Sequence, residues 1–116
     1  MTIQRLHSND RLSAVAGFAD LLFLSGQVPG AATDAAGQTR EVLAKIDALL
    51  AEAGSDKDHL LSATLYLKDI QRDFAAMNEV WSAWLSPGQA PSRTTVQAAL
   101  ARPGILVEIT VIAVRR

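Results

Sequence analysis

The sequence predicts an α+β sandwich: one mixed β-sheet carrying two helices packed on a single face. Three observations lead there. Two segments with helical apolar spacing, about Asp34–Ala53 and Phe74–Leu85, are separated by one strand-like run. Short strand-like runs precede the first helix and follow the second, giving the order β-β(-β)-α-β-α-β-β. The last run, Ile105–Val114, is β-branched and apolar on both sides toward its end.

Each element has its own local reason. Ile3–His7 reads as a short strand, and Asn9-Asp10 is a turn signal. Ser13–Ala19 and Leu21–Ser25 read as two strands joined tightly at Asp20. Gly26-Gln27-Val28-Pro29-Gly30 breaks regular structure, and Gly30–Gly37 is loop-like, with Asp34 as a helix cap. Val42, Leu43, Ile46, Leu49, Leu50 and Ala53 form one apolar helical face. Glu41 and Lys45 make an i,i+4 pair outside it, and Gly54 closes the helix with a left-handed cap. His59–Asp69 alternates apolar Ala63, Leu65 and Leu67 with Thr64, Tyr66 and Lys68, as a strand does. Asp73 caps the second helix, whose stripe is Phe74, Met77, Trp81 and Trp84, and Ser86-Pro87-Gly88 stops it. Two strands, about Ser92–Leu100 and Ile105–Val114, flank the turn Ala101-Arg102-Pro103-Gly104.

The 116 residues suffice for one domain, 1-116, with one core. A hydrophobic content of 49%, a charged content of 20% and a net charge of −1 describe a soluble globular chain. That charge gives no reason to expect nucleic acid or a membrane surface as partner. No apolar run approaches the roughly 20 residues of a membrane span, and Met1–Arg5 has no apolar signal core, so the expected location is cytoplasmic. The absence of cysteine excludes disulfides, thiolate metal sites and a cysteine nucleophile. His7 and His59 are far apart in sequence, so no two-histidine metal site is expected.

Two helices cover only one sheet face. The other, faced by Ile112 and Val114, must meet another subunit or expose an apolar patch, so a homo-oligomer is expected.

Arg93 and Glu108 are the candidates for chemistry. Arg93 shares a strand face with Thr95 and Gln97, and Glu108 shares one with Thr110. A simple hairpin through Arg102-Pro103 would set Gln97 near Glu108 and Arg93 roughly 13 Å further along. The two then line one elongated cleft or meet across a subunit boundary. A guanidinium fork matches a carboxylate. A carboxylate can position water or move a proton. The pair points to recognition of a small carboxylic acid followed by hydrolysis, or else to two surface charges on a sheet edge. Gly26 either brings backbone donors close to a ligand or simply turns the chain. Asn78, on the second helix, faces either the sheet or solvent. Trp81 and Trp84 belong to the core rather than to a ligand platform.

Several segments together resemble the RidA family, also called YjgF/YER057c/UK114, over nearly the full length. They are Ser25-Gly26-Gln27-Val28-Pro29, Gln38, Ala53-Gly54, Thr64-Leu65-Tyr66-Leu67-Lys68-Asp69, Phe74-Ala75-Ala76-Met77-Asn78, Pro91-Ser92-Arg93 and Val107–Val114. The resemblance implies a chorismate-mutase-like fold and a homotrimer with clefts between subunits, using no metal and no organic cofactor. It implies hydrolysis of reactive 2-imino and enamine acids, such as 2-aminoacrylate and 2-iminobutanoate, to 2-oxo acids and ammonia. Arg93 would then hold the substrate carboxylate, Glu108 would order the attacking water, and Gly26 would line the cleft. Asn78, Thr95 and Leu12 complete the expected substrate surroundings. Two positions depart from the family pattern. Arg11-Leu12-Ser13 replaces a Gly-Pro-Tyr segment, so Leu12 stands in place of a cleft tyrosine, as in a side branch with Arg-x-Ser there. Thr95 stands where a cysteine commonly follows the arginine. The alternative activities are a non-catalytic trimer that binds small carboxylates or metabolites and, disfavoured by the net charge, an endoribonuclease or translation inhibitor.

Overall fold

The computed structural model describes residues 1–116. The strands are β1 (Gln4–Ser8), β2 (Ser13–Phe18), β3 (Leu21–Leu24), β4 (Leu60–Leu67), β5 (Ser92–Gln97) and β6 (Val107–Val114). The helices are α1 (Ala35–Glu52) and α2 (Ile70–Trp84). A short 3-10 turn, Lys57–His59, leads into β4. No helix is long and apolar enough to cross a membrane.

Asp34 starts α1 by accepting a hydrogen bond from the Gly37 amide at 2.8 Å. Val42, Leu43, Ile46 and Leu50 are buried along the face that their spacing predicts. At the far end the Gly54 amide donates to Ala51 and the Ser55 amide to Leu50, with Gly54 at φ 83°. That is a Schellman closure, and its left-handed residue favours glycine. The expected Glu41–Lys45 pair does not form. The Glu41 carboxylate accepts from the amides of Gly30, Ala31 and Ala32, and Lys45 Nζ donates to the Val28 carbonyl. Both charges fasten the loop that follows β3, because its unpaired backbone groups offer better partners than an exposed ion pair does.

The second helix begins earlier than its apolar period suggests. Asp69, not Asp73, is the cap, accepting from the Arg72 amide at 3.1 Å. The Ile70 amide is satisfied by Gln97 Oε1 at 3.0 Å. Asp73 lies buried in the first turn, its carboxylate held by the Arg72 guanidinium at 2.9 and 2.8 Å. Within the expected stripe, Met77 and Trp81 are buried, whereas Phe74 is exposed and Trp84 half-buried.

The six strands form one sheet in the order β1-β2-β3-β6-β4-β5. All neighbours are antiparallel except β4 and β5, the parallel pair that α2 connects. The expected hairpin between the last two strands is absent, because β4 lies between them. The segment after β5 crosses the end of β4. The Ala98 amide donates to the Leu67 carbonyl on one side, and the Lys68 amide donates to the Leu106 carbonyl on the other. Buried Gln38 fixes the far side of that crossing, donating to Gly104 O and accepting from the Leu106 amide at 2.7 Å.

Both helices lie on one face. Their apolar residues join Val15, Leu22, Leu24, Ala63, Leu65, Leu67, Val107, Ile109, Val111 and Ala113 in one core. The residues that alternate with these face the other way and have no cover within the chain. Phe18, Leu21, Phe23 and Val96 are exposed there, beside half-buried Ile112 and Val114.

Candidate functional site

Glu108 lies on the helix-free face. Its register partner on β4 is Tyr66, and both alternate with core residues on their strands. After β3 the chain returns to β6 through a single bridge, in which the Gln27 amide donates to Ile109 O at 2.8 Å and the Ile109 amide to Gln27 O at 3.1 Å. This bridge lays Gly26 against the Glu108 side chain. A Cβ at position 26 would overlap the carboxylate oxygen and stand 3.0 Å from its carbon. The residue must therefore be glycine for the carboxylate to rest where it does. A cleft of about 610 Å³ opens here, lined by Gly26, Tyr66, Glu108, Thr110 and the 98–101 loop. Thr110 commits its hydroxyl proton to the Leu24 carbonyl at 2.6 Å. Glu108 and Tyr66 make no side-chain hydrogen bond within the chain, so the cleft presents a carboxylate and a phenol without partners.

Arg93 lies on the opposite face. Its register partner is Ala63, a core residue, and its side chain runs under α2. Nη1 donates to Asn78 Oδ1 at 2.6 Å. The guanidinium carbon sits 5.7 Å from the Phe74 ring centroid and 5.9 Å from that of Trp81. Both rings lie within cation–π reach of the guanidinium. Arg93 has no ion pair within the chain, and most of its five N–H donors remain available. Thr95 shares this face, and its Oγ1 is buried without a hydrogen-bond partner. Asn78 faces the sheet rather than solvent, as the contact with Arg93 shows.

The structure therefore separates the expected site residues into two groups. Gly26 and Glu108 come together on the helix-free face; Arg93, Asn78 and Thr95 come together beneath α2. Within one protomer Arg93 and Glu108 do not share an elongated cleft, because the sheet lies between them. Leu12 belongs to neither group. It is exposed at the turn between β1 and β2, where its amide donates to Asn9 Oδ1 at 2.9 Å. Tyr66 and the 98–101 loop are additional cleft members. The alternation along β4 fixes the side to which Tyr66 points, but only the strand order sets it beside Glu108.

The clearest shifts in acidity lie away from both groups. The His59 ring, hydrogen-bonded at 2.6 Å, holds the Asp56 carboxyl below the usual carboxylate value. Arg72 is pushed further up by its hydrogen bonds to Asp73. No three His, Cys, Asp or Glu side chains converge as metal ligands.

This is a small α+β protein with an unpartnered carboxylate on a bare sheet face and an unpartnered guanidinium on the other. It belongs to the YjgF/RidA family: residues 2–115 match the family described as Endoribonuclease L-PSP. A RutC family protein of Haemophilus influenzae is 44% identical over 115 residues, spanning 97% of this chain and 98% of the relative. The RutC family protein YoaB of Escherichia coli is 44% identical over 113 residues, with 97% and 98% covered. Among solved structures, a YjgF family member from Neisseria meningitidis superposes with a TM-score of 0.97 at 49% identity, covering 100% of this chain and 97% of that one. A YjgF/YER057c/UK114 family member from Mycobacterium tuberculosis gives 0.87 at 26% identity, covering 97% and 99%.

Proposed function

We propose that this protein hydrolyses small reactive 2-imino acids to 2-oxo acids and ammonia, at clefts built from two copies of the chain in a homotrimer. One observation carries the reading. Two opposite charges, each without an ion-pair partner, sit on opposite sides of one sheet, and the bare side is apolar enough to require cover. Burying Phe18, Leu21, Phe23, Ile112 and Val114 against a neighbour removes that patch from water. It also gives the Glu108 cleft a second wall. A symmetric ring in which each subunit offers its β5 edge to the next would supply Arg93 to that wall.

In this reading the Arg93 fork holds the substrate carboxylate through two parallel charge-assisted hydrogen bonds. Water oxygen bonds to C2 while Glu108 relays one water proton to the imine nitrogen, and the C=N π pair moves to that nitrogen. Glu108 then relays the hydroxyl proton of the resulting carbinolamine to the amine. The C–N bond breaks with its electron pair going to nitrogen, C=O forms, and ammonia leaves. Glu108 ends as it began. Gly26 keeps the carboxylate in position, and Asn78 holds Arg93. The direct test generates 2-iminobutanoate in situ and follows its loss with and without the protein. Accelerated loss is the expected result; loss at the uncatalysed rate overturns the reading.

The family description as an endoribonuclease finds no support in the charge of this chain. A net charge of −1 is not the basic excess of a domain that grips a phosphate backbone. Binding of a small carboxylate without turnover is the second reading. It is favoured by Leu12, an aliphatic side chain with no hydroxyl where the family pattern has a tyrosine.

A further inference from the structure

We infer that Tyr66 is a catalytic residue of the Glu108 cleft, its phenol donating a hydrogen bond to the oxygen that attacks C2. This rests on the imine-hydrolysis reading above and adds a residue to it. Tyr66 and Glu108 are direct register partners on the same face of β4 and β6. Side chains so placed have Cβ atoms about 4.5–5.5 Å apart, the closest approach a sheet offers. Both line the same cleft. Tyr66 is the only tyrosine in the chain.

The chemistry needs such a group. Glu108 accepts a proton from the attacking water, but one acceptor leaves that water free to rotate about a single hydrogen bond. A donor on the other side of the oxygen fixes the lone pair that attacks. It also stabilises the carbinolamine oxygen before the C–N bond breaks. Of the side-chain hydroxyls in the cleft, Thr110 has given its proton to the Leu24 carbonyl. The Tyr66 phenol is the one left uncommitted, and its O–H is free to donate. The apolar 98–101 loop beside it limits competing water. The phenol keeps its proton throughout, so the atom balance of the hydrolysis is unchanged.

The test is Tyr66→Phe, which keeps the ring and removes only the hydroxyl. Because that hydroxyl has no partner in the chain, the variant should melt and assemble as the parent does. With 2-iminobutanoate generated in situ, kcat should fall on the order of ten- to a hundredfold, between an ordinary hydrogen bond and a full oxyanion donor. KM should stay near the parent value, since Arg93 holds the carboxylate. An active parent matched by Tyr66→Phe within twofold overturns the role of the phenol alone. A change in KM with kcat preserved overturns it too, making Tyr66 a binding contact. A parent that hydrolyses no imino acid overturns the reading of the site, and this role with it.

Discussion

Replacing Arg93 by alanine removes three contacts that the structure makes explicit. They are the 2.6 Å hydrogen bond to Asn78 and the cation–π contacts at 5.7 and 5.9 Å with Phe74 and Trp81. One hydrogen bond is worth about 1 kcal/mol net and each partly exposed cation–π contact about 0.5–1 kcal/mol. If all three add, the fold loses roughly 2–3 kcal/mol, which lowers the melting temperature without unfolding the protein at 25 °C. The ligand loses a charge-assisted contact of about 1.5–3 kcal/mol, or roughly 10- to 150-fold in affinity. Arg93→Lys separates charge from geometry: lysine keeps the positive end but has no planar fork, so it should restore only part of the binding. The assay is calorimetric titration with 2-oxobutanoate, the product of 2-iminobutanoate hydrolysis, beside imine turnover and molar mass on the same samples. The parent should also melt higher as 2-oxobutanoate is added, by simple linkage, and Arg93→Ala should not. If Arg93→Ala assembles normally, binds 2-oxobutanoate like the parent and turns over at the parent rate, the carboxylate is held elsewhere.

Glu108→Gln keeps the shape and removes the proton acceptor, so turnover should fall on the order of 10²-fold or more with 2-oxobutanoate binding intact; an unchanged rate makes Glu108 structural. Gly26→Ala drives a Cβ into the flexible Glu108 carboxylate rather than into backbone. The fold should survive with a melting shift of a few degrees, and activity should drop about as far as in Glu108→Gln. A fully active Gly26→Ala would mean that the resting position of Glu108 is not the working one. Asp56 has a folded pKa depressed from 3.8, chiefly by its hydrogen bond to His59. Its stabilising contribution is therefore present above 3.8 and lost as pH falls through the lower folded value. Asp56→Asn, which preserves the cap, should melt below the parent at neutral pH and converge with it in acid. A gap that persists below the folded value contradicts this.

Much of the fold was legible because period and capping act locally. The Val42-Leu43-Ile46-Leu50 face, the Gly54 closure and the two-sided apolar β6 all depend on neighbours within a few residues. The strand order was not legible. Alternation tells which side Glu108 and Tyr66 face on their own strands, but nothing local says that β4 enters between β5 and β6. That insertion moved Arg93 from the margin of one cleft to the opposite face of the sheet and put Tyr66 beside Glu108. The α2 boundary failed for a related reason. Asp73 stands where a cap should precede the apolar stripe, but Gln97, distant in sequence, meets the Ile70 amide and starts the helix a turn earlier, leaving Asp73 buried in its first turn. Likewise Glu41 and Lys45 have the spacing of a pair, but a distant loop claims both.

Arg93 and Glu108 lie on opposite faces of one sheet, so they can cooperate only between copies of the chain. Mixing two crippled variants tests this most directly. Arg93→Ala and Glu108→Gln, unfolded together in equal amounts and reassembled, form mixed oligomers in which some clefts pair an intact Glu108 from one variant with an intact Arg93 from the other. With random assembly in a ring, about one cleft in four is whole, whatever the number of subunits. The mixture should therefore recover about a quarter of parental 2-iminobutanoate turnover, while each variant reassembled alone stays well below that. A mixture no more active than its parts, from oligomers shown by mass to contain both chains, would contradict a site shared between copies.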